Sequence, residues 1–207
     1  MIARWIALLL VPLALAGCVN EDVQAPLAQA QAAAYRAPGQ PTLTIYTMIS
    51  NRDGRGGHSA LMVSGSQRVL FDPAGSWYHP TAPERGDVFF GMTPGLVEFY
   101  EDYHARPTHH VVKQEIAVSP EIAEQALGLV QAHGTAAKAT CGQSVSGILR
   151  ELGFSNVSRA WFPERIMRDV ADIPGVRETK RYDDEEDPWS PERGARAAAA
   201  AATILAD

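Results

Sequence analysis

Residues 56–75 read GGHSALMVSGSQRVLFDPAG, two apolar runs on either side of the polar break Ser64-Gly65-Ser66-Gln67. That pattern is a β-hairpin closed by a short glycine-containing turn. With the turn centred between Gly65 and Ser66, paired residues have numbers summing to about 131, which sets His58 opposite Pro73 and Ser59 opposite Asp72. A slip of one residue sets Asp72 opposite His58. Either way an imidazole and a carboxylate share one end of one hairpin.

The elements around the hairpin complete an α+β pattern. Thr42 to Ile49, TLTIYTMI, alternates with β-branched and aromatic residues as a strand does, and so does His109 to Val118, HHVVKQEIAV. A further strand is expected near 87–91 and a last one in VRETKRY, with loops and a helix over 94–103 between them. Ser119 followed by Pro120 starts a helix that runs to Gly134. Val145, Ile148, Leu149 and Leu152 fall at helical spacing in Cys141 to Leu152, which stops at Gly153, and Pro163 opens another helix to about Asp172. The expectation is a small antiparallel sheet packed against helices. Asn51 to Gly57, NRDGRGG, lacks the Lys-Ser/Thr of a phosphate loop and has no helix behind it, so it reads as a flexible loop.

The chain has 207 residues, 46% hydrophobic and 20% charged, enough for one core. With 18 basic and 24 acidic residues its net charge is −6, and no basic cluster suits a nucleic-acid backbone. Residues 1–17 carry Arg4, an apolar run and then small residues. The run is shorter than the ~20 residues that span a bilayer and reads as an export leader. Leu15-Ala16-Gly17-Cys18 resembles the lipobox of bacterial lipoproteins, which implies a diacylated Cys18 as the new N-terminus and membrane attachment through lipid. Several acyl chains anchor stably at about 0.8 kcal/mol per buried methylene. Val19 and Asn20 lack the Asp that favours inner-membrane retention, so the resemblance implies the outer membrane, facing the periplasm. Residues 18–40, rich in Ala, Gln and Pro, read as a lipidated N-terminus and flexible tether, residues 41–182 as the folded domain, and residues 183–207 as a solvated acidic and alanine-rich tail.

Lipidation of Cys18 leaves Cys141 without a partner in an oxidising compartment. Thr140 is the natural N-cap, which puts Cys141 at the first position of its helix, where unsatisfied N–H groups and the helix dipole favour a thiolate. Buried core filler is the alternative for a free cysteine, but the apolar stripe begins at Val145, one turn later. His58 is the candidate base and Asp72 the candidate orienting group, with Asp72-Pro73 also a turn former. The Cys141 backbone N–H is the natural oxyanion donor, with Tyr46 and Gln143 as side-chain candidates. His109 and His110 point to opposite faces of a strand, which argues against a shared metal with His104. Glu101-Asp102 and Asp183 to Asp187 read as solvated charge, and Trp77 and Tyr78 as cleft or core residues. No metal and no cofactor are expected.

A His after glycines at the start of a strand (GGHSALMV), a hairpin return ending in a polar residue (VLFDPAG) and, much later, a Cys opening a helix (ATCGQSVSGILRELG) resemble the circularly permuted branch of the papain-like NlpC/P60 superfamily, in which His precedes Cys. The resemblance covers about residues 42–155. It departs from the commonest pattern at Thr140, where Asn is frequent, and at Asp72, which stands in place of a second His. It implies a sheet carrying the His and the third polar group, packed on the helix that presents the Cys, and thiol acyl chemistry through Cys141, His58 and Asp72. Members include peptidoglycan amidases and peptidases as well as lipid deacylases and acyltransferases. Envelope location favours an envelope-anchored monomeric hydrolase acting on an amide of a peptidoglycan peptide. The alternatives are an acyl-lipid substrate, or a non-catalytic lipoprotein that uses the cleft for binding.

Overall fold

A computed structural model of the chain describes residues 22–183. Its centre is a seven-stranded, wholly antiparallel open sheet in the order β4-β5-β3-β2-β1-β6-β7. The strands are β1 (Thr42–Ser50), β2 (Gly56–Ser64), β3 (Arg68–Phe71), β4 (Glu84–Arg85), β5 (Val88–Phe90), β6 (His109–Ala117) and β7 (Arg177–Arg181). Five helices accompany them: α1 (Leu27–Ala32), α2 (Pro94–His104), α3 (Pro120–His133), α4 (Cys141–Glu151) and α5 (Pro163–Ala171). The expected α+β class and antiparallel sheet are therefore present.

β1 is buried along almost its whole length because both of its faces are covered. Leu43, Ile45, Leu61, Val63, Val69 and Phe71 point to one face and pack with the apolar stripes of α3, α4 and α5. Tyr46, Met48, Ala60, Met62 and Leu70 point to the other, under Trp77 and the Leu96, Val97 and Tyr100 face of α2. Period-two alternation places successive residues in different cores. Proline at N1 and a capping hydroxyl start two helices: Thr93 accepts from the Leu96 N–H and Ser119 from the Ile122 N–H.

The hairpin register differs from expectation by one residue. Leu61 pairs with Phe71, Met62 with Leu70, and Ser64 with Arg68. The turn is the three-residue Gly65-Ser66-Gln67, with the Gly65 N–H donating to the Gln67 carbonyl. Partner numbers therefore sum to 132, not 131. An odd sum puts His58 and Asp72 on opposite faces of the hairpin, whereas an even one puts them on the same face. Extended by one position, this register sets Asp72 across from Ala60, diagonal to His58.

The flexible tether is also corrected for its described part, residues 22–40. The Ala25 N–H donates to the Glu84 carbonyl at 2.8 Å, the Gly86 N–H to Val23 at 3.0 Å and the Arg68 N–H to Tyr35 at 2.6 Å. Ala30 of α1 is 1% exposed within the main core. The guanidinium of Arg68 lies over the Tyr35 ring, and Arg85 donates to the Ala25 carbonyl. This segment borders the β4 edge of the sheet and is held mainly by its backbone, so the folded part begins before Pro41. The leader, Cys18 and tail residues 184–207 lie outside the described residues. Among the described residues no helix is long and apolar enough to cross a membrane.

Candidate active site

Cys141 heads α4, whose Val145, Ile148 and Leu149 anchor it in the core. Thr140 occupies the N-cap position without capping: its φ of −107° and ψ of 13° turn the side chain away, and its hydroxyl donates instead to the Ala137 carbonyl at 2.7 Å. The first intrahelical bond runs from the Ser144 N–H to the Thr140 carbonyl. The N–H groups of the first turn are thus left by the helix for other acceptors. Gly142 is required by close approach, since a Cβ there would lie 2.4 Å from the Trp161 carbonyl oxygen. Cys141 as a residue is 7% exposed and so lies just beneath the surface.

Two glycines set the position of His58. A Cβ on Gly56 would lie 2.6 Å from the Glu164 nitrogen at the start of α5, and the Gly56 N–H donates to Glu164 Oε2 at 3.0 Å. Met48 pairs with His58 but Ile49 pairs with Gly56, so Gly57 is the extra residue of a β-bulge. β3 leaves the sheet at Phe71, and past its end the His58 ring and the Ser59 and Gly142 main-chain N–H groups lie near enough to the Cys141 sulfur to favour its thiolate. His58 and Cys141 approach from different faces and meet at this opening.

Asp72 completes the row. Its Oδ1 lies 2.5 Å from His58 Nε2 and accepts from Tyr100 Oη at 2.9 Å. That leaves Nδ1 as the imidazole nitrogen that can serve the thiol. The turn-former reading holds for the main chain only. The Gly75 N–H closes the turn onto the Asp72 carbonyl, but the Ala74 N–H is capped by Asp87, not by the Asp72 carboxylate. Asp87, itself buried, also accepts from the Ala136 N–H at 2.9 Å and so joins the turn to the loop that leads to Cys141. A Cβ on Gly75 would fall 2.0 Å from Asp72 Oδ2, so this glycine makes room for the carboxylate.

The electrostatics follow from burial opposed by proximity. Burial disfavours the His58 imidazolium, but the charge and hydrogen bond of Asp72, reinforced by Cys141, push it up to about 10. Burial raises Cys141, yet the hydrogen bond and charge of His58 and the Ser59 and Gly142 N–H groups bring it below its ordinary value. Burial likewise opposes ionisation of Asp72, which His58 more than offsets. The direction throughout is toward a thiolate–imidazolium pair supported by a buried carboxylate.

Two further participants emerge: Tyr100, not singled out in the sequence, and His104, weighed there only as a metal ligand. Tyr100 donates to Asp72, and His104, one turn later on α2, stacks on His58 with ring centroids 6.1 Å apart while its Nδ1 faces the Tyr100 carbonyl. Their i, i+4 spacing on the buried face of α2 is the signal that could have paired them. The oxyanion candidate Tyr46 is excluded by its partner: its hydroxyl donates to Glu101 at 3.1 Å. Glu101 also receives Lys113 Nζ at 2.8 Å and Asp102 pairs with Arg181 at 3.0 Å, so this carboxylate pair is engaged with cations and not simply solvated. Gln143 is exposed on the first turn beside the sulfur. His109 pairs with Ser50 and His110 with Ile49, on opposite faces of β6. Among the described residues no group of His, Cys, Asp and Glu is arranged to hold a metal. Comparisons with protein-family models, with curated proteins and with solved structures returned no match.

Proposed function

We propose that the chain is a thiol hydrolase of the permuted NlpC/P60 type, lipid-anchored in a bacterial envelope and cleaving an amide of a peptidoglycan peptide. The observation that carries this reading is the row Cys141–His58–Asp72, assembled from separated segments, with the ring 2.5 Å from the carboxylate and near enough to the thiol to favour its ionised form. The thiolate attacks the carbonyl carbon, and the oxyanion is received by first-turn N–H groups of α4. His58 then gives its proton to the departing amine as the C–N bond breaks, leaving a thioester on Cys141. Water, deprotonated by His58, attacks that thioester, and the released thiolate and imidazolium restore the resting pair.

Iodoacetamide labelling tests the reading. Cys141 is expected to react rapidly near neutral pH and His58→Ala to slow it by about tenfold or more. Labelling at the rate of a free peptide thiol, indifferent to His58→Ala, would transfer the protein to the non-catalytic binding class. One observation favours a second substrate: Trp161 and Phe162, 52% and 64% exposed, present apolar surface on the loop whose backbone packs against Gly142. Incubation with peptidoglycan fragments and, separately, phospholipid, read by mass spectrometry, decides between amide cleavage and lipid deacylation.

A further inference from the structure

A groove leaves the site on the side away from α4. Its inner part, about 380 Å³, is lined by His58, His104, Tyr103, Arg106, His109 and the Gly57 bulge, with no residue of α4. A neighbouring cavity of about 740 Å³, which shares Gly57 and His109 with the first, includes Arg52, Asp53 and Arg55. In a chain of net charge −6, three arginines stand here against Asp53 and the Glu164 carboxylate, which is held on the Gly56 N–H, so the balance is locally positive. Arg52 is spent in part on Asp53 at 3.4 Å, but no ion pair joins Arg55 or Arg106 to a carboxylate among the described residues. Arg106 lies over the Tyr103 ring and uses Nη1 on the Asp102 and Ala105 carbonyls. Because His109 Nδ1 is engaged with Thr108 Oγ1, its Nε2 is left as the edge beside Gly57.

The chemistry of the proposed hydrolysis gives this groove a side. The acyl half of the substrate must place its carbonyl over the α4 N-terminus. The amine half must begin at His58, which hands it a proton, and so extends away from Cys141. We infer that the groove holds the leaving-group half of the substrate and that this half carries a carboxylate, received by Arg55 and Arg106 with His109 beside them. This rests on the thiol-hydrolase reading and narrows it to an amide whose amine fragment is an acidic amino acid or a peptide with a free carboxyl group. Guanidinium suits a carboxylate through two parallel N–H donors, and the protein's overall negative charge keeps such anions away elsewhere.

The test is protection of Cys141 from iodoacetamide by alanylalanine, of either chirality, compared with its C-terminal amide. The free acid is expected to half-protect at a concentration about five- to tenfold lower, a margin that shrinks as salt screens the open groove. The ratio of acid to amide is taken within each variant, so changes in the thiol's own reactivity cancel. Arg55→Gln with Arg106→Gln should bring the ratio to one. Where loss of Arg106 unsettles the end of α2, Arg52→Gln with Arg55→Gln on the loop reads the same effect. Equal protection by acid and amide, no protection by either, or a preference that survives the arginine replacements overturns the inference. Phosphoethanolamine protecting better than the free-acid dipeptide overturns it too, in favour of a phosphate-bearing fragment. The two failures are separable: if His58→Ala leaves unprotected labelling unchanged, the hydrolase reading falls, whereas a lost acid preference with normal His58 dependence removes this inference alone.

Discussion

Asp72→Asn removes one charge from the site while keeping the shape of the side chain. In the intact protein burial works against the imidazolium of His58, and Asp72 is the largest influence on the other side, holding it at about 10 against an ordinary 6.5. Without that charge, burial is opposed by the thiolate alone, and the ring is expected to titrate near or below 6.5. At pH 8 a group titrating at about 10 is ~99% protonated and one titrating at 6.5 only ~3%, so the charged pair becomes about thirtyfold scarcer. The loss of alkylation rate is smaller, because a thiolate of higher pKa is more nucleophilic by a Brønsted exponent of about 0.4–0.5, and it falls between about six- and thirtyfold. The assay is the rate of Cys141 carbamidomethylation from pH 5 to 10, together with NMR titration of the His58 ring. The rise in rate should move to higher pH in the variant, since the imidazolium charge that lowers the thiol is lost while burial, which raises it, remains. The sign on stability is fixed by the same shifts. The raised His58 contributes stability that is complete below 6.5 and is lost as pH rises through about 10. The lowered Asp72 contributes stability present above 3.8 and lost as pH falls through its folded value. Asp72→Asn should therefore lower Tm most between about pH 4 and 6.5, measured on a Cys141→Ala background so that the thiol's own titration is absent. A folded Asp72→Asn protein whose labelling profile and His58 titration both match the parent would refute this account of the site.

Gly142→Ala forces a Cβ to within 2.4 Å of a main-chain oxygen, so the start of α4 or the 160–161 loop must move. The expected result is a loss of about 1–3 kcal/mol in denaturant unfolding together with slower Cys141 labelling, and an unchanged midpoint would show that the loop yields freely. Deleting residues 1–40 should lower Tm by several degrees relative to deleting residues 1–21, because the backbone pairing with Glu84, Gly86 and Arg68 and the burial of Ala30 are lost. A free tether predicts equal melting of the two proteins.

The strands and helices were legible because their signals are carried by side chains: alternation in β1 and β6, the stripe of α4, and proline after a capping hydroxyl in α3. What misled was carried by the backbone. Residues 22–40 offer few apolar side chains, so composition suggests a tether, but their carbonyl and N–H groups find partners along β3 and β4, an attachment that no side-chain pattern reports. Thr140 has the residue type of an N-cap, yet its backbone lies outside the extended region from which a cap reaches the helix, so its hydroxyl turns to Ala137. The hairpin gives the sharpest case. His58 and Asp72 were legible as neighbours in the chain pattern, but their common face depends on whether the turn holds two residues or three. Gly65-Ser66-Gln67 holds three, closed by a main-chain bond, and Gly57 adds another residue to β2 at its other end. Residue type states what chemistry a side chain can offer, whereas one residue more or less in the turn decides which way it faces. Removing the bulge by deleting Gly57 would shift Gly56 out of its tight fit against Glu164 while leaving every member of the Cys141–His58–Asp72 row in the sequence. The two glycines before the imidazole thus fix how the start of β2 seats against α5, which the residue types of the row do not report.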